Sequence, residues 1–246
     1  MTKLQAVRGM RDILMHEIPK WQFVEESIKN ILNCYSYKEI RLPILEKTEL
    51  FTQAVGNDTD IVSKEMYSFD DKNKASLTLR PEGTAGCVRA GVEHALFHNK
   101  TQKLWYMGPM FRYEKPQKGR QRQFHQLGVE AFGFKGPDID AEQIMMCHRI
   151  WEKLKIKNIN LEINSLGSAQ SRLNYRKILV EYFTAHKNEL DEDSLIRLKK
   201  NPLRILDSKN PDMKSLIADA PAINEHLDQE SNNHFTELKE ILDYGD

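Results

Sequence analysis

Between residues 111 and 133 the sequence FRYEKPQKGRQRQFHQLGVEAFG changes character halfway along. Its first half sets Arg112, Lys115, Lys118, Arg120 and Arg122 against a single acid, Glu114. Its second half alternates with the period of a strand. Phe124, Gln126, Gly128, Glu130 and Phe132 therefore share one face, and His125, Leu127, Val129 and Ala131 share the other. The second set is a core face. The first joins aromatic rings to a glycine, an amide and a carboxylate, and a glycine inside a strand often marks the close approach of a ligand or another backbone. An ordinary polar outer face is the plain alternative. On the preceding segment Met110, Arg112 and Glu114 share a face, so an antiparallel pair is expected to set Arg112 beside Gln126 and Glu130.

That combination suits a zwitterionic substrate meeting a phosphate. Glu130 and Gln126 can accept from an ammonium or a ring N–H. Arg112 can hold a carboxylate or phosphate in a bidentate fork. Arg120 and Arg122, on a loop, can meet a polyphosphate tail or a nucleic-acid backbone. The run RPEGT adds Glu82 and Thr84 at a strand end, where capping of the following helix is the competing role. His94 and His98 stand at the spacing of one helical turn, but no third ligand accompanies them and the metalloprotease pattern is absent, so no zinc or other metal site is expected. Tyr35, Tyr37, Trp105 and Tyr106 are candidates for base stacking, with core packing the stronger reading.

The elements that must position these residues belong to a chain of 246 residues, enough for one large domain or a core and a smaller module. With 40% apolar and 29% charged residues it has a globular composition. No membrane span or secretory signal is visible, and three scattered cysteines make neither a disulfide framework nor a zinc knuckle, which points to a reduced cytoplasm. The zero net charge hides an uneven spread: residues 100–135 hold eight Lys/Arg and two acids, and residues 187–246 hold eight and fourteen. A local basic segment in a neutral chain fits a specific polyanion site, with a solvated basic loop as the bland alternative.

Residues 17–35 carry helical spacing through Trp21, Val24, Ile28, Ile31 and Leu32. Ile40, Leu42 and Ile44 alternate as a strand, and Pro43 within it demands an edge or a bulge, covered by a helix of the same chain or by a second subunit. A short helix over residues 50–55 ends at Gly56, a hairpin flanks DDKNKA, and a helix from about residue 85 places Val88, Val92 and Leu96 on one face. Strands are expected around residues 103–114 and 158–168, with a helix between them over residues 138–154 capped by Asp138 or Asp140. After residue 168 only helical patterns remain, broken by Pro202, Pro211 and Pro221. The fold class is α+β, a mainly antiparallel sheet flanked by helices, with residues 1–168 as a core and 169–246 as a helical insertion. No Walker loop or Rossmann glycine fingerprint is present.

The runs LTLRPEGTAGCVRAG, LWYMGPMFRYEKPQKGRQRQFHQLGVEAFG and GPDIDAE, together with RGMRD and NPLRILDSKNP, closely resemble the bacterial histidyl-tRNA synthetase family of class II aminoacyl-tRNA synthetases. The resemblance implies ATP-dependent activation of L-histidine to histidyl-adenylate, with magnesium on the phosphates, and transfer to tRNA(His). It implies a homodimer through the stretch bounded by Tyr37 and Leu45. It assigns Glu82, Gly83, Thr84, Arg112, Gln126 and Glu130 to histidine, with Arg112 also catalytic. Arg112, Glu114, Arg120 and Phe124 fall to ATP, and Lys115, Gln117, Lys118 and Arg122 to tRNA. The family's second histidine motif, its motif 3 and its anticodon-binding domain lie outside this sequence. The chain alone is therefore expected to be weakly active or inactive. Two alternatives are a synthetase-like regulatory subunit of histidine biosynthesis, which the basic loop argues against, and a fragment whose pocket stays unfilled.

Overall fold

A computed structural model describes residues 3–56 and 59–245. The helical spacing near the start forms α1 (Ile18–Cys34), which buries Ile28 and Leu32. The alternation that follows does not become one strand. Pro43 splits it into β1 (Lys38–Glu39) and β2 (Leu45–Lys47), which enter different sheets, and residues 40–44 between them are irregular. Proline has no N–H for a ladder, and the carbonyls that lose ladder partners must be satisfied elsewhere. Arg80 satisfies them: its Nη1 donates to the carbonyls of Leu42 at 2.9 Å and Pro43 at 3.4 Å, and its Nε donates to that of Pro109 at 2.9 Å.

After α2 (Thr48–Val55) the chain turns at Gly56, where φ is 93°, and a hairpin of β3 (Tyr67–Asp70) and β4 (Ser76–Leu79) follows. β4 lies between β2 and β3, antiparallel to both. Then come α3 (Thr84–Glu93), β5 (Gln102–Phe111), β6 (Gln123–Phe132) and α4 (Pro137–Lys153). β5 is central in the second sheet, antiparallel to β6 and parallel to β1. The fold is thus α+β, built on two small, mainly antiparallel sheets.

Both faces of the β5–β6 pair are covered. On one, Leu127 and Val129 pack with Trp105, Tyr37, Met146 and the buried side of α1. On the other, Tyr106, Leu104 and Met110 pack with Cys87 of α3, so the face bearing Gln126 and Glu130 is roofed rather than open. The roof sits close because α3 buries only small residues: Ala85, Gly86, Cys87, Ala90 and Gly91. Its expected apolar face is a correction. Val88 and Val92 are exposed, and Leu96 lies beyond the helix end. The helix stops before His94, and Ala95 takes φ 51°, so His94 and His98 do not share a helical face. Asp138 and Asp140 fall inside the first turn of α4 rather than at its cap, because Pro137 opens the helix.

The chain divides into two compact units, residues 1–135 with 142–157, and residues 136–141 with 158–246. The second contains α5 (Ala169–Ala185), α6 (Glu192–Lys200), α7 (Lys214–Ala218) and α8 (Gln229–Tyr244), around Tyr175, Leu179, Phe183, Ile205 and Met213. Polar caps start three of its helices. Ser168, Asp191 and Asp228 each accept from the backbone N–H three residues on, at 3.1, 2.7 and 2.8 Å. The strand expected over residues 158–168 is absent. A strand exists only through its ladder, and among the described residues none pairs with this segment, which leaves Leu161 and Leu166 exposed.

Candidate functional site

The register of β5 on β6 determines where each candidate side chain stands. Gly108 is opposite Gln126, Tyr106 opposite Gly128 and Leu104 opposite Glu130. Arg112 lies past the end of β5, where its N–H donates to the carbonyl of Arg122 at 2.9 Å. At about 3.4 Å per residue, Gln126 and Glu130 then lie roughly 14 and 27 Å along the strand from the position opposite Arg112. The sequence-based expectation that Arg112 sits beside them on the sheet is therefore corrected. Its actual neighbour is Phe124, with the guanidinium 5.3 Å from the ring centroid.

A different element brings the two ends toward each other. The run from Pro81 to Thr84 crosses the sheet face. At one end the carbonyl of Pro81 accepts from Arg112 Nε at 2.8 Å. At the other, Thr84 Oγ1 donates to Glu130 Oε1 at 2.7 Å. Three residue steps span at most about 11 Å of chain. The forked cation and the carboxylate are thus tied to the two ends of one four-residue run. Between them Gln126 holds a buried Oε1 that has no hydrogen-bond partner among the described residues. A buried acceptor without a donor is costly, and it marks a place for one.

Glu82 performs the capping role. Its Oε2 accepts from the N–H of Thr84 at 2.6 Å and its Oε1 from that of Ala85 at 3.0 Å. Capping keeps the carboxylate fixed at the positive end of α3 and leaves lone pairs for a ligand ammonium. Glu82 and Thr84 also edge an apolar trough of about 700 Å³ between α2 and α3, walled by Leu50, Val55, Val88 and Val92.

The sequence offered Tyr106 for base stacking, with core packing the stronger reading, and gave no sign of a link to Glu130. Its ring is buried in a slot between two glycines. A Cβ on Gly83 or on Gly128 would lie 2.1 Å from the ring. Gly128 thus makes room for a ring of its own chain. The hydroxyl donates to Glu130 Oε1 at 3.1 Å and lies 3.3 Å from Thr84 Oγ1. Burial, and to a lesser degree the Glu130 charge, push this phenol well above its ordinary value, so it keeps its proton. No spacing rule finds such a slot. The only signal was the pair of glycines, whose partner lies on a different element.

The loop end is polar and internally paired. Gln117 and Arg120 close its tip through backbone hydrogen bonds, with Gly119 at φ 82°. Arg120 pairs with Glu114 at 3.2 Å. Arg122 has a job inside the protein, which narrows its expected role. Its guanidinium lies 3.8 Å above the Tyr113 ring and its Nε donates to the carbonyl of Glu114 at 3.1 Å. Its backbone N–H and that of Gln123 donate to the carbonyl of Gly9, at 2.7 and 3.2 Å. Lys115, Gln117 and Lys118 are exposed, and among the described residues neither lysine forms an ion pair. Glu65, unremarked in the sequence, adjoins this cluster. Burial first, then the Glu114 charge, raise its carboxyl, against the lowering effect of Arg112 and Arg120.

Among the described residues no three His, Cys, Asp or Glu side chains converge as a metal site would require, and no helix is long and apolar enough to cross a membrane. The cations around the loop, the flat face of Phe124 and the bridge beneath Arg112 fit a nucleoside polyphosphate next to an amino acid.

The family model for histidyl-tRNA synthetase matches residues 9–229. Among solved structures the chain is similar to apo S. aureus histidyl-tRNA synthetase, with 38% identity and a TM-score of 0.76, over 98% of this chain and 55% of that one. It therefore spans about half the length of that protein. A Bacillus halodurans C structure described as an ATP phosphoribosyltransferase regulatory subunit/histidyl-tRNA synthetase is similar in fold, with 20% identity and a TM-score of 0.66, over 98% of this chain and 65% of that one.

Proposed function

Because the chain belongs to the histidyl-tRNA synthetase family, we propose that it carries the histidine- and ATP-binding part of a histidine–tRNA ligase. The observation that supports this reading most is the Pro81–Thr84 bridge, which holds Arg112 at one end and Glu130 at the other. In this reading Glu130 accepts the imidazole N–H. Gln126, Thr84 and the capping carboxylate of Glu82 receive the α-ammonium beside the close-packed Gly83. Arg112 grips the substrate carboxylate and the α-phosphate together. Phe124 stacks on adenine, Glu114 accepts from its amino group, and Arg120 leaves Glu114 for the phosphates.

The chemistry is an in-line displacement. A carboxylate oxygen of histidine forms a bond to the α-phosphorus as the bond to the bridging oxygen breaks and pyrophosphate leaves; magnesium on the phosphates would offset their charge. A ribose hydroxyl of tRNA(His) then attacks the acyl carbon, its proton passes to solvent, and AMP departs as the bond from the acyl carbon to the phosphate oxygen breaks. Arg112 contributes by alignment and by neutralising charge that grows in the transition state. An acceptor reserved for a ring N–H disfavours amino acids lacking that donor, because it would be left unpaired. Lys115, Gln117, Lys118 and the part-committed Arg122 face the RNA end. A second copy covers the stretch from Tyr37 to Leu45, where β1 and β2 are edge strands.

The fold neighbour's description offers a regulatory subunit as the other reading. The unpaired lysines of the basic loop favour the ligase, since holding a polyanion is the use such a loop serves. Calorimetry with L-histidine, L-phenylalanine and ATP tests the proposal. Binding of histidine but not phenylalanine is expected, with histidine-dependent ATP–pyrophosphate exchange far below that of a family-length enzyme. Equal or absent binding of the two amino acids would overturn it, and exchange at the full rate would overturn the expectation of weak activity.

A further inference from the structure

Resting on that reading, we infer that Tyr106 is a positioning residue that decides which oxygen of Glu130 is offered to the substrate ring. Glu130 Oε1 accepts two hydroxyl donors, Tyr106 at 3.1 Å and Thr84 at 2.7 Å. Among the described residues Oε2 accepts none. A carboxylate whose first oxygen is saturated has one direction left for a further donor, and that direction is the one Oε2 faces. The pair of donors also stops the carboxylate from rotating about its terminal bond.

Tyr106 can do this because it cannot move. Its ring is held between Gly83 and Gly128, each close enough that one added carbon would overlap it. The same ring stands on a central strand in the register Tyr106 opposite Gly128, two pairs away from Leu104 opposite Glu130. Its hydroxyl therefore reaches along the strand to Glu130. Thr84 reaches the same oxygen from beside it, off the first residue of α3, with its hydroxyl 3.3 Å from that of Tyr106. Two elements thus locate one oxygen atom. The Thr84 hydroxyl, having given its proton to Glu130, faces a ligand only with lone pairs, which suits an ammonium and not a second acceptor.

The test compares L-histidine with its two ring N-methylated forms, by calorimetry on the whole chain. The parent chain is expected to bind at least one methylated form about tenfold or more weaker than histidine. In Tyr106→Phe, which keeps the ring and its packing, that gap is expected to shrink to about threefold or less, with the melting temperature nearly unchanged. Gly128→Ala keeps the hydroxyl but displaces the ring, and it is expected to shrink the gap as well. A gap that survives in both variants overturns the inference, and so does a parent chain that binds histidine and both methylated forms equally. If the parent chain binds no histidine, the ligase reading fails for this chain, and a ligand-free measurement decides the positioning role. The Glu130 carboxyl carbon resonance, recorded at neutral pH, is expected to move in Tyr106→Phe and not in Tyr113→Phe. An unmoved resonance overturns the inference.

Discussion

Arg80 collects three backbone carbonyls, those of Leu42 and Pro43 at the break between β1 and β2 and that of Pro109 in β5 beyond the end of β1. It is almost wholly buried, and burial lowers its affinity for its proton without discharging it. Arg80→Ala is expected to cost about 3 kcal/mol, read as a lower denaturant midpoint at an unchanged slope, because a buried side chain is removed and three part-buried carbonyls lose their donor. Glu65 should behave in the opposite sense. Its carboxyl is raised in the folded chain, so the folded state holds that proton more tightly than the unfolded chain does. Stability is then complete below the unfolded carboxylate value and falls as pH rises through the folded one. Glu65→Gln should melt with the parent at pH 4 and above it at pH 7, and equal melting temperatures at both would contradict this. Cys87 supplies a third residue-level test. Burial, then the Glu130 charge, push its thiol to about 11, whereas Cys34 is exposed. Thiolate is the reactive form, so a thiol reagent at neutral pH should label Cys34 at once and Cys87 only on unfolding.

At the level of elements, α3 owes its place to what it lacks. A Cβ at Gly91 would sit 1.8 Å from the Phe97 ring, which itself stacks on Phe132 at 4.0 Å. Gly91→Ala is therefore expected to destabilise by about 1–3 kcal/mol through overpacking, and to loosen Thr84 at the far end of the same helix. Thermal melting with and without histidine separates the two effects. The buried small-residue face of α3 was not legible in the sequence, where the valines carried the helical pattern instead. Alternation did reveal β6 and the shared face of Gln126 and Glu130, because a period of two is a local property. The neighbours of Arg112 were hidden, since they depend on the register and on a crossing segment from another part of the chain. For the same reason residues 158–168 read as a strand and are not one. Their apolar alternation is real, but pairing is not encoded in the strand alone.

Across the whole molecule, the two units differ in how far apart in sequence their contacts lie. The segment between α4 and α5 has no regular structure and exposes Leu161 and Leu166. Limited digestion with a protease that cuts after leucine should cleave there first and leave two resistant pieces, and early cleavage within α5 to α8 would contradict this. The second unit is assembled from helices that follow one another along the chain. The first is closed by distant partners. β1 pairs with β5 more than sixty residues on, and Gly9 receives Arg122 and Gln123 from more than a hundred residues away. Local contacts form quickly and distant ones slowly. Refolding should therefore show a fast helical phase followed by a slower recovery of Trp105 fluorescence. During synthesis the residue at position 9 leaves the ribosome long before its partners exist, and the ring of groups around Glu130 closes only after β6 has emerged. The site is thus among the last parts of its unit that can form, and until then its early strands travel unpaired, dependent on nearby helices or on a chaperone to stay out of other company.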